Sequence, residues 1–167
     1  MPQMYYDKDA DLGLLKGKKI GVIGFGSQGH AHAMNLHDSG CDVAVGLYPG
    51  SKSWKTAEEA GLRAGTVAEV AEQSDIVMIL VPDQAAKDVY YGHIADGLKP
   101  GNMVMWAHGF NVHYGQVQAP DDVDVTMVAP KGPGHMLRKL YVDGIGMPAL
   151  VAVHQNATET AKQLALA

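Results

Sequence analysis

A six-residue glycine pattern, Gly24-Phe25-Gly26-Ser27-Gln28-Gly29, lies between an apolar run, Ile20–Ile23, and a helical pattern, Ser27–Ser39. The pattern alone is widespread. It gains meaning when it leaves a strand and opens a helix in the first such unit of a chain, as it does in this sequence. Gly24 permits the tight turn, and Gly26 lets an anion approach the backbone. Gly29 lets the helix lie close on the strand. Free N–H groups and the helix dipole at Ser27–Gly29 then face a pyrophosphate. A glycine turn without a ligand is the bland alternative, and the strand–turn–helix context weighs against it.

The remaining pattern agrees with a sheet built from crossovers. Strands are expected at Asp42–Val45, Asp75–Val81, Asn102–Trp106, Val123–Val128 and Ala149–Val153. Helices are expected at Trp54–Ala60, Thr66–Gln73, Asp83–Ile94 and from Ala157 to Ala167. Thr66 followed by Glu69 is a capping-box signature. Asp75–Val81 is apolar on both faces, which suits a parallel strand covered on both sides. The expectation is one α/β domain, residues 1–167, with a doubly wound, mostly parallel sheet of the Rossmann type. Its ligands belong at the carboxyl ends of the strands.

Composition limits the partners. A net charge of -5 argues against nucleic acid, which needs clustered Lys and Arg. No apolar run is long enough to span a membrane, and Met1–Asp11 has no apolar leader core. The expected location is therefore the cytoplasm. The single Cys41 excludes an intrachain disulfide and reads as a small buried residue.

The strand ends supply the candidate site residues. A domain that prefers NAD usually carries an acid after its second strand, to bind the ribose 2′-hydroxyl. This strand continues Gly46-Leu47-Tyr48-Pro49-Gly50-Ser51-Lys52-Ser53, with no acid. Ser51, Lys52 and Ser53 suit a 2′-phosphate through charge-assisted hydrogen bonds, which points to NADP(H). The competing reading is a solvated turn with Ser53 capping the next helix. Tyr48 stacks on adenine or covers the turn. Asp83 follows Pro82 at the next strand end, where it caps a helix or contacts the cofactor. His108 lies between small residues in Trp106-Ala107-His108-Gly109-Phe110, placed to face a ligand. Lys131 sits in the shaped loop Ala129-Pro130-Lys131-Gly132-Pro133-Gly134-His135, as an anion-binding cation or a solvated charge. His135 reads as surface. The other histidines, including His30 and His32 on different faces of the first helix, show no metal-ligand spacing. No nucleophile elbow is present.

These segments together resemble the amino-terminal domain of bacterial short-form ketol-acid reductoisomerases (acetohydroxy acid isomeroreductases). The resemblance covers the opening Met4-Tyr5-Tyr6-Asp7-Lys8-Asp9-Ala10-Asp11-Leu12, the turn Gly24–Ala33, and Gly50-Ser51-Lys52-Ser53-Trp54. It also covers Ala107-His108-Gly109-Phe110, Ala129–His135 and Val151–Gln155, so it extends over essentially the whole chain. It implies conversion of 2-acetolactate or 2-aceto-2-hydroxybutyrate to dihydroxy acids in branched-chain amino acid biosynthesis. In that reaction magnesium assists an alkyl migration and NADPH reduces the resulting 2-keto acid. It further implies cofactor binding by Phe25, Gly26, Ser27 and Gln28 and 2′-phosphate binding by Ser51 and Ser53. Asp83, Gln84, Ala85 and Ala86 are implied to line the cofactor cleft. His108 is implied as the active-site histidine, with Gly134 on the cofactor and Lys131 and Pro133 flanking the site.

Two departures from the family stand out. Tyr48 occupies a position where Arg is common, which keeps stacking but loses charge. The family's helical, knotted second domain, with its acidic metal ligands, has no counterpart in these residues, and magnesium requires oxygen ligands such as carboxylates. The expected partners are accordingly an acetohydroxy acid, and the helical domain or a second copy of the chain. A free-standing NADP(H)-binding module is the alternative. A β-hydroxyacid-type dehydrogenase is a third reading, resting on the glycine turn alone.

Overall fold

The structure, a computed structural model, describes residues 3–167; Met1 and Pro2, the start of the segment read above for a leader, lie outside the described residues. Seven strands form one sheet in the order β3-β2-β1-β4-β5-β6-β7. They are β1 (Lys19–Ile23), β2 (Asp42–Leu47), β3 (Arg63–Thr66), β4 (Ile76–Ile79), β5 (Met103–Trp106), β6 (Asp124–Pro130) and β7 (Ala149–Gln155). All neighbours pair in parallel except β7, which runs antiparallel to β6. The helices are α1 (Ser27–Asp38), α2 (Ser53–Glu59), α3 (Val67–Gln73), α4 (Asp83–Val89), α5 (Phe110–His113), α6 (Gly134–Val142) and α7 (Ala161–Leu166). Helix α4 continues through a π-helical turn, Tyr90–Ile94. No helix among the described residues is long and apolar enough to cross a membrane.

Side chains of a strand alternate between faces, and this divides the core into two layers. Ile20, Val22, Val43, Val45, Ile76, Met78, Met103 and Met105 pack with Ala33 of α1 and with Ala161 and Ala165 of α7. Ile23, Val77, Ile79, Val104 and Trp106 point the other way, against Val67, Val70, Ala71, Ala86, Tyr90 and Ile94. Complete burial of one such aliphatic side chain contributes about 1.5–3 kcal/mol. The central strands are apolar on both faces for this reason.

The capping box at α3 is present. Thr66 Oγ1 accepts from the N–H of Glu69, and Glu69 Oε2 accepts from the N–H of Thr66. The Thr66 hydroxyl, which donates to Glu69 Oε2 at 2.7 Å, and then the Thr66 N–H hold the Glu69 carboxyl below its ordinary range.

Several elements differ from the expectation, α5 among them as a four-residue helix with no periodic signal. The last helix begins at Ala161 rather than Ala157. Fully buried Asp124 accepts from the Thr158 N–H at 3.0 Å and from its hydroxyl at 2.6 Å. Asn156 Oδ1 accepts from the N–H of Ala161, and Glu159 has a φ of 64°. Local side-chain bonds of this kind compete with helix formation. The edge strand β3 was not expected, because Arg63-Ala64-Gly65-Thr66 lacks an apolar run. It pairs with β2 over four residues, and Arg63 forms an ion pair with Asp42. Helix α6 replaces what reads as a Pro- and Gly-shaped loop. Pro133 is its N-cap and Gly134 its first residue. It packs on α1, where Arg138 donates to Asp38 Oδ2 at 2.6 Å and to Asn35 Oδ1 at 2.9 Å. The Arg138 hydrogen bond, followed by that of His37, holds the Asp38 carboxyl below its usual range. Cys41 is only partly buried.

His32 of α1 is buried to 9% exposure, and its Nε2 has no hydrogen-bond partner among the described residues. It borders an apolar cavity of about 310 Å³ lined by Leu36, Met105, Leu137 and Leu164. Burial lowers its pKa to about 4. The folded state therefore stays neutral while the unfolded chain takes up a proton near pH 6.5. Stability is unaffected by this group above that pH and falls as pH drops from about 6.5 to 4, by about 3 kcal/mol in total. Chemical denaturation across that range checks this: His32→Leu should flatten the decline, and an equally steep decline in the variant would show that other groups cause it.

Candidate functional site

The glycine turn owes its shape to backbone packing. Gly24 has a φ of 97°, a left-handed conformation that favours glycine. Its N–H donates to Gly46 O at 3.0 Å, which ties the end of β1 to the end of β2. A Cβ on Gly29 would lie 2.1 Å from Gly24 O, so strand and helix can meet this closely only with glycine there. At Gly26 a Cβ would find no atom within 4 Å. The surface over Gly26 is thus open, next to the first N–H groups of α1, which have no intrahelical acceptor. This is a cradle for an anion.

The loop after β6 comes to the same place. Gln28 Nε2 donates to Gly132 O at 3.0 Å. A Cβ on Gly134 would lie 2.0 Å from Ser27 O, so the amino ends of α1 and α6 are in contact there. Pro133 is exposed and Gly134 buried. Lys131 is exposed; its N–H donates to Pro148 O. The Phe25 side chain is buried in the first core layer, edge-on to His30, which leaves its backbone for any ligand contact.

After β2, Tyr48-Pro49-Gly50-Ser51 forms a turn closed by the Ser51 N–H on Tyr48 O at 3.1 Å, with Gly50 at a φ of 81°. Helix α2 starts at Ser53 itself, so Ser53 is not its cap. The Ser53 N–H instead donates to Ser51 Oγ at 3.3 Å. Tyr48 and Lys52 are exposed, and Ser51 and Ser53 half-buried. The acid on β2, Asp42, lies at the other end of the strand, on Arg63.

The parallel register sets Ile79 of β4 beside Trp106 of β5. The segments that follow these two residues therefore leave the sheet side by side. Asp83 does not cap α4, where Pro82 holds the cap position. Its Oδ2 lies 2.7 Å from His108 Nδ1. Asn111 Nδ2 donates to Asp83 Oδ1 and to the Asp83 carbonyl, each at 3.3 Å. Sequence reasoning passed over Asn111. Its only signal is its place three residues after His108, at the start of a helix too short to read from periodicity. Gln84 is exposed, Ala85 half-buried, and Ala86 turned into the core.

Gln28, Pro82, Asp83, Trp106, His108 and Pro130 line a cavity of about 290 Å³ at these strand ends. Gln28 Oε1, an acceptor, and Trp106 Nε1, a donor, are buried without a hydrogen-bond partner among the described residues; Trp106 also borders a second cavity with Val112 and Val117. Tertiary structure thus joins the glycine turn, Asp83 and His108 in one cleft, with the Gly132–Gly134 loop bound to its rim. Among the described residues no three His, Cys, Asp or Glu side chains gather where a metal ion could be held.

Comparison with known proteins agrees with this geometry. The family model described as acetohydroxy acid isomeroreductase, NADPH-binding domain, matches residues 14–167. The chain is similar to an NADH-preferring ketol-acid reductoisomerase from an uncultured archean, at 41% identity and a TM-score of 0.95. That match covers 99% of this chain and 51% of the other, so the chain spans about half the length of that enzyme. Pyrroline carboxylate reductase from Plasmodium falciparum, with NADP bound, shares 17% identity at a TM-score of 0.68, covering 90% of this chain and 53% of that one. 3-Hydroxyisobutyrate dehydrogenase from Mycobacterium tuberculosis shares 14% at 0.68, covering 90% and 52%. These two likenesses are of fold alone. A dinucleotide cradle, a strand order typical of such folds and a family match over nearly the whole chain lead to one conclusion: the chain belongs to the acetohydroxy acid isomeroreductase family and carries its nicotinamide-cofactor-binding domain.

Proposed function

We propose that this chain is the cofactor-binding half of an NADP(H)-dependent ketol-acid reductoisomerase acting in the cytoplasm on 2-acetolactate or 2-aceto-2-hydroxybutyrate. The observation that carries the reading is the single cleft that holds Gln28, Asp83 and His108 beside an open glycine cradle.

The residues fit the cofactor. The open face of Gly26 and the amino end of α1 take the pyrophosphate. Ser51, Lys52 and Ser53 take the 2′-phosphate, and Tyr48 lies against the adenine. Gln84 and Ala85 border the cleft, and Pro133 and Gly134 close its rim. Gln28 Oε1, buried without a partner among the described residues, offers an acceptor to a polar group in the cavity. When bound, the nicotinamide supplies hydride to the carbonyl of a 2-keto acid. His108 exchanges a proton with a substrate oxygen, and Lys131 attracts the substrate carboxylate. No magnesium step is derived for this chain: the described residues form no cluster of three ligands. The reading places those ligands in a helical domain or a partner copy. The reductoisomerase compared above is NADH-preferring; the preference for NADPH proposed for this chain rests on Ser51, Lys52 and Ser53 and on the lack of an acid after β2. A binding module without turnover is the second reading, favoured by the lack of a three-ligand metal cluster among the described residues.

Titration of the purified chain with NADPH and NADH, followed by Mg²⁺ and 2-acetolactate, tests the cofactor and the place of the metal ligands. Tighter binding of NADPH without oxidation is expected, and magnesium-dependent consumption of NADPH would place the metal ligands within these residues. Lys52→Ala should weaken NADPH about 5-fold, as the loss of one exposed ion pair does, and leave NADH unchanged. Equal losses for both would remove Lys52 from the 2′-phosphate site. Gly26→Ala should change stability by less than about 0.5 kcal/mol and reduce dinucleotide affinity at least tenfold, because the added methyl occupies the anion's approach. Unaltered affinity would place the pyrophosphate elsewhere.

A further inference from the structure

We propose that Asp83 is a positioning residue: held by buried Asn111, it fixes His108 as the Nδ1–H tautomer, so that Nε2 is the atom that exchanges a proton with substrate. This deepens the reading of His108 given above and rests on it for the identity of the substrate.

A carboxylate only accepts hydrogen bonds. A ring-nitrogen lone pair held 2.7 Å from a carboxylate oxygen would be repelled by it, so the hydrogen of a neutral His108 belongs on Nδ1, against Asp83 Oδ2. A neutral imidazole has one donor and one acceptor nitrogen, so this contact leaves Nε2 with the free lone pair. Nδ1 keeps its proton, facing the carboxylate, in both charge states of the ring, and the exchanged proton is the one on Nε2. The His108 side chain is otherwise 70% exposed, so packing does little to fix its rotamer. The 2.7 Å contact of Nδ1 with the Asp83 carboxylate supplies that restraint.

Asp83 is itself restrained. Asn111 is 1% exposed, and its Nδ2 contacts both the backbone carbonyl and Oδ1 of Asp83. One amide thus sets where the residue lies and how its carboxylate is rotated, with Oδ1 toward Asn111 and Oδ2 toward His108. Asn111 is fixed by its own carbonyl, which accepts from the N–H groups of Gln116 and Val117 at 2.8 and 3.1 Å. His108 and Asn111 come from the same loop and short helix after β5, and Asp83 from the start of α4. The acid is consequently gripped from two points of one segment. An acid that served only as a helix cap would turn an oxygen to its own helix, and Asp83 makes no such bond.

The arrangement makes Asp83→Asn informative. Asn111 donates to the Oδ1 position, so the new amide places its oxygen there and its NH₂ toward His108. Nδ1 must then accept, and the tautomer inverts. A carboxylate-to-amide change behind a catalytic histidine acts in this way in serine proteases.

Imidazole ¹⁵N NMR of the full chain at mildly alkaline pH tests this, with the His108 signal assigned by its loss in His108→Gln. The expected result is an Nδ1–H ring in the unsubstituted chain and an Nε2–H ring in Asp83→Asn. An Nε2–H ring in the unsubstituted chain overturns the proposal without recourse to any variant. So does a tautomer unchanged in Asp83→Asn. Failure of the cofactor-binding reading appears separately, as inversion of the tautomer in a chain that binds neither NADPH nor NADH.

Discussion

With a Cβ at Gly29 only 2.1 Å from the carbonyl oxygen of Gly24, β1 and α1 can approach as they do only because that carbon is missing. The close approach turns the chain sharply at the end of the first strand. It aims the first N–H groups of α1 into the space beyond the sheet, and it lets β4 pair beside β1 at the point where the strand order reverses. A cleft outside the carboxyl ends of the strands follows from that reversal. A second absent side chain, at Gly134, brings α6 onto Ser27 and closes the same cleft from the other side. Two contacts in which backbone meets backbone or its neighbour thus fix the geometry in which the polar residues act.

The rest of the site follows from strand register. Pairing of Ile79 with Trp106 brings the loops after β4 and β5 together, and Asp83, His108 and Asn111 meet as a consequence. The two core layers supply the rigidity. Trp106, Tyr90 and Ile94 are buried on the face of the sheet that also buries Ala86, so the start of α4 is anchored by the remainder of its own helix. Histidines in this protein show how far surroundings decide the role. His108 is exposed and paired with a carboxylate, whereas His32 is buried in an apolar layer with its pKa lowered to about 4.

Much of the architecture was legible from local pattern. The two-sided apolar run of β4, the Thr66 and Glu69 capping box and the glycine turn each depend on residues close in sequence, and each appears as expected. Elements whose stability comes from distant partners were not legible. Helix α6 follows a Pro and a Gly and depends on Asn35 and Asp38 of α1, about a hundred positions away. Strand β3 has no apolar run and exists through β2. The delayed start of α7 depends on Asp124, a residue of β6.

The sequence by itself determined the fold class and the glycine turn, because glycine spacing and apolar periodicity express backbone sterics and burial that act within a few residues, and the family through the resemblance of its ordered segments. Only the tertiary structure decided that Asp83 serves His108 rather than its own helix, and that Asn111 belongs with them. Those contacts cross between separate strands, and their distances are set by sheet register and core packing, which no local pattern encodes.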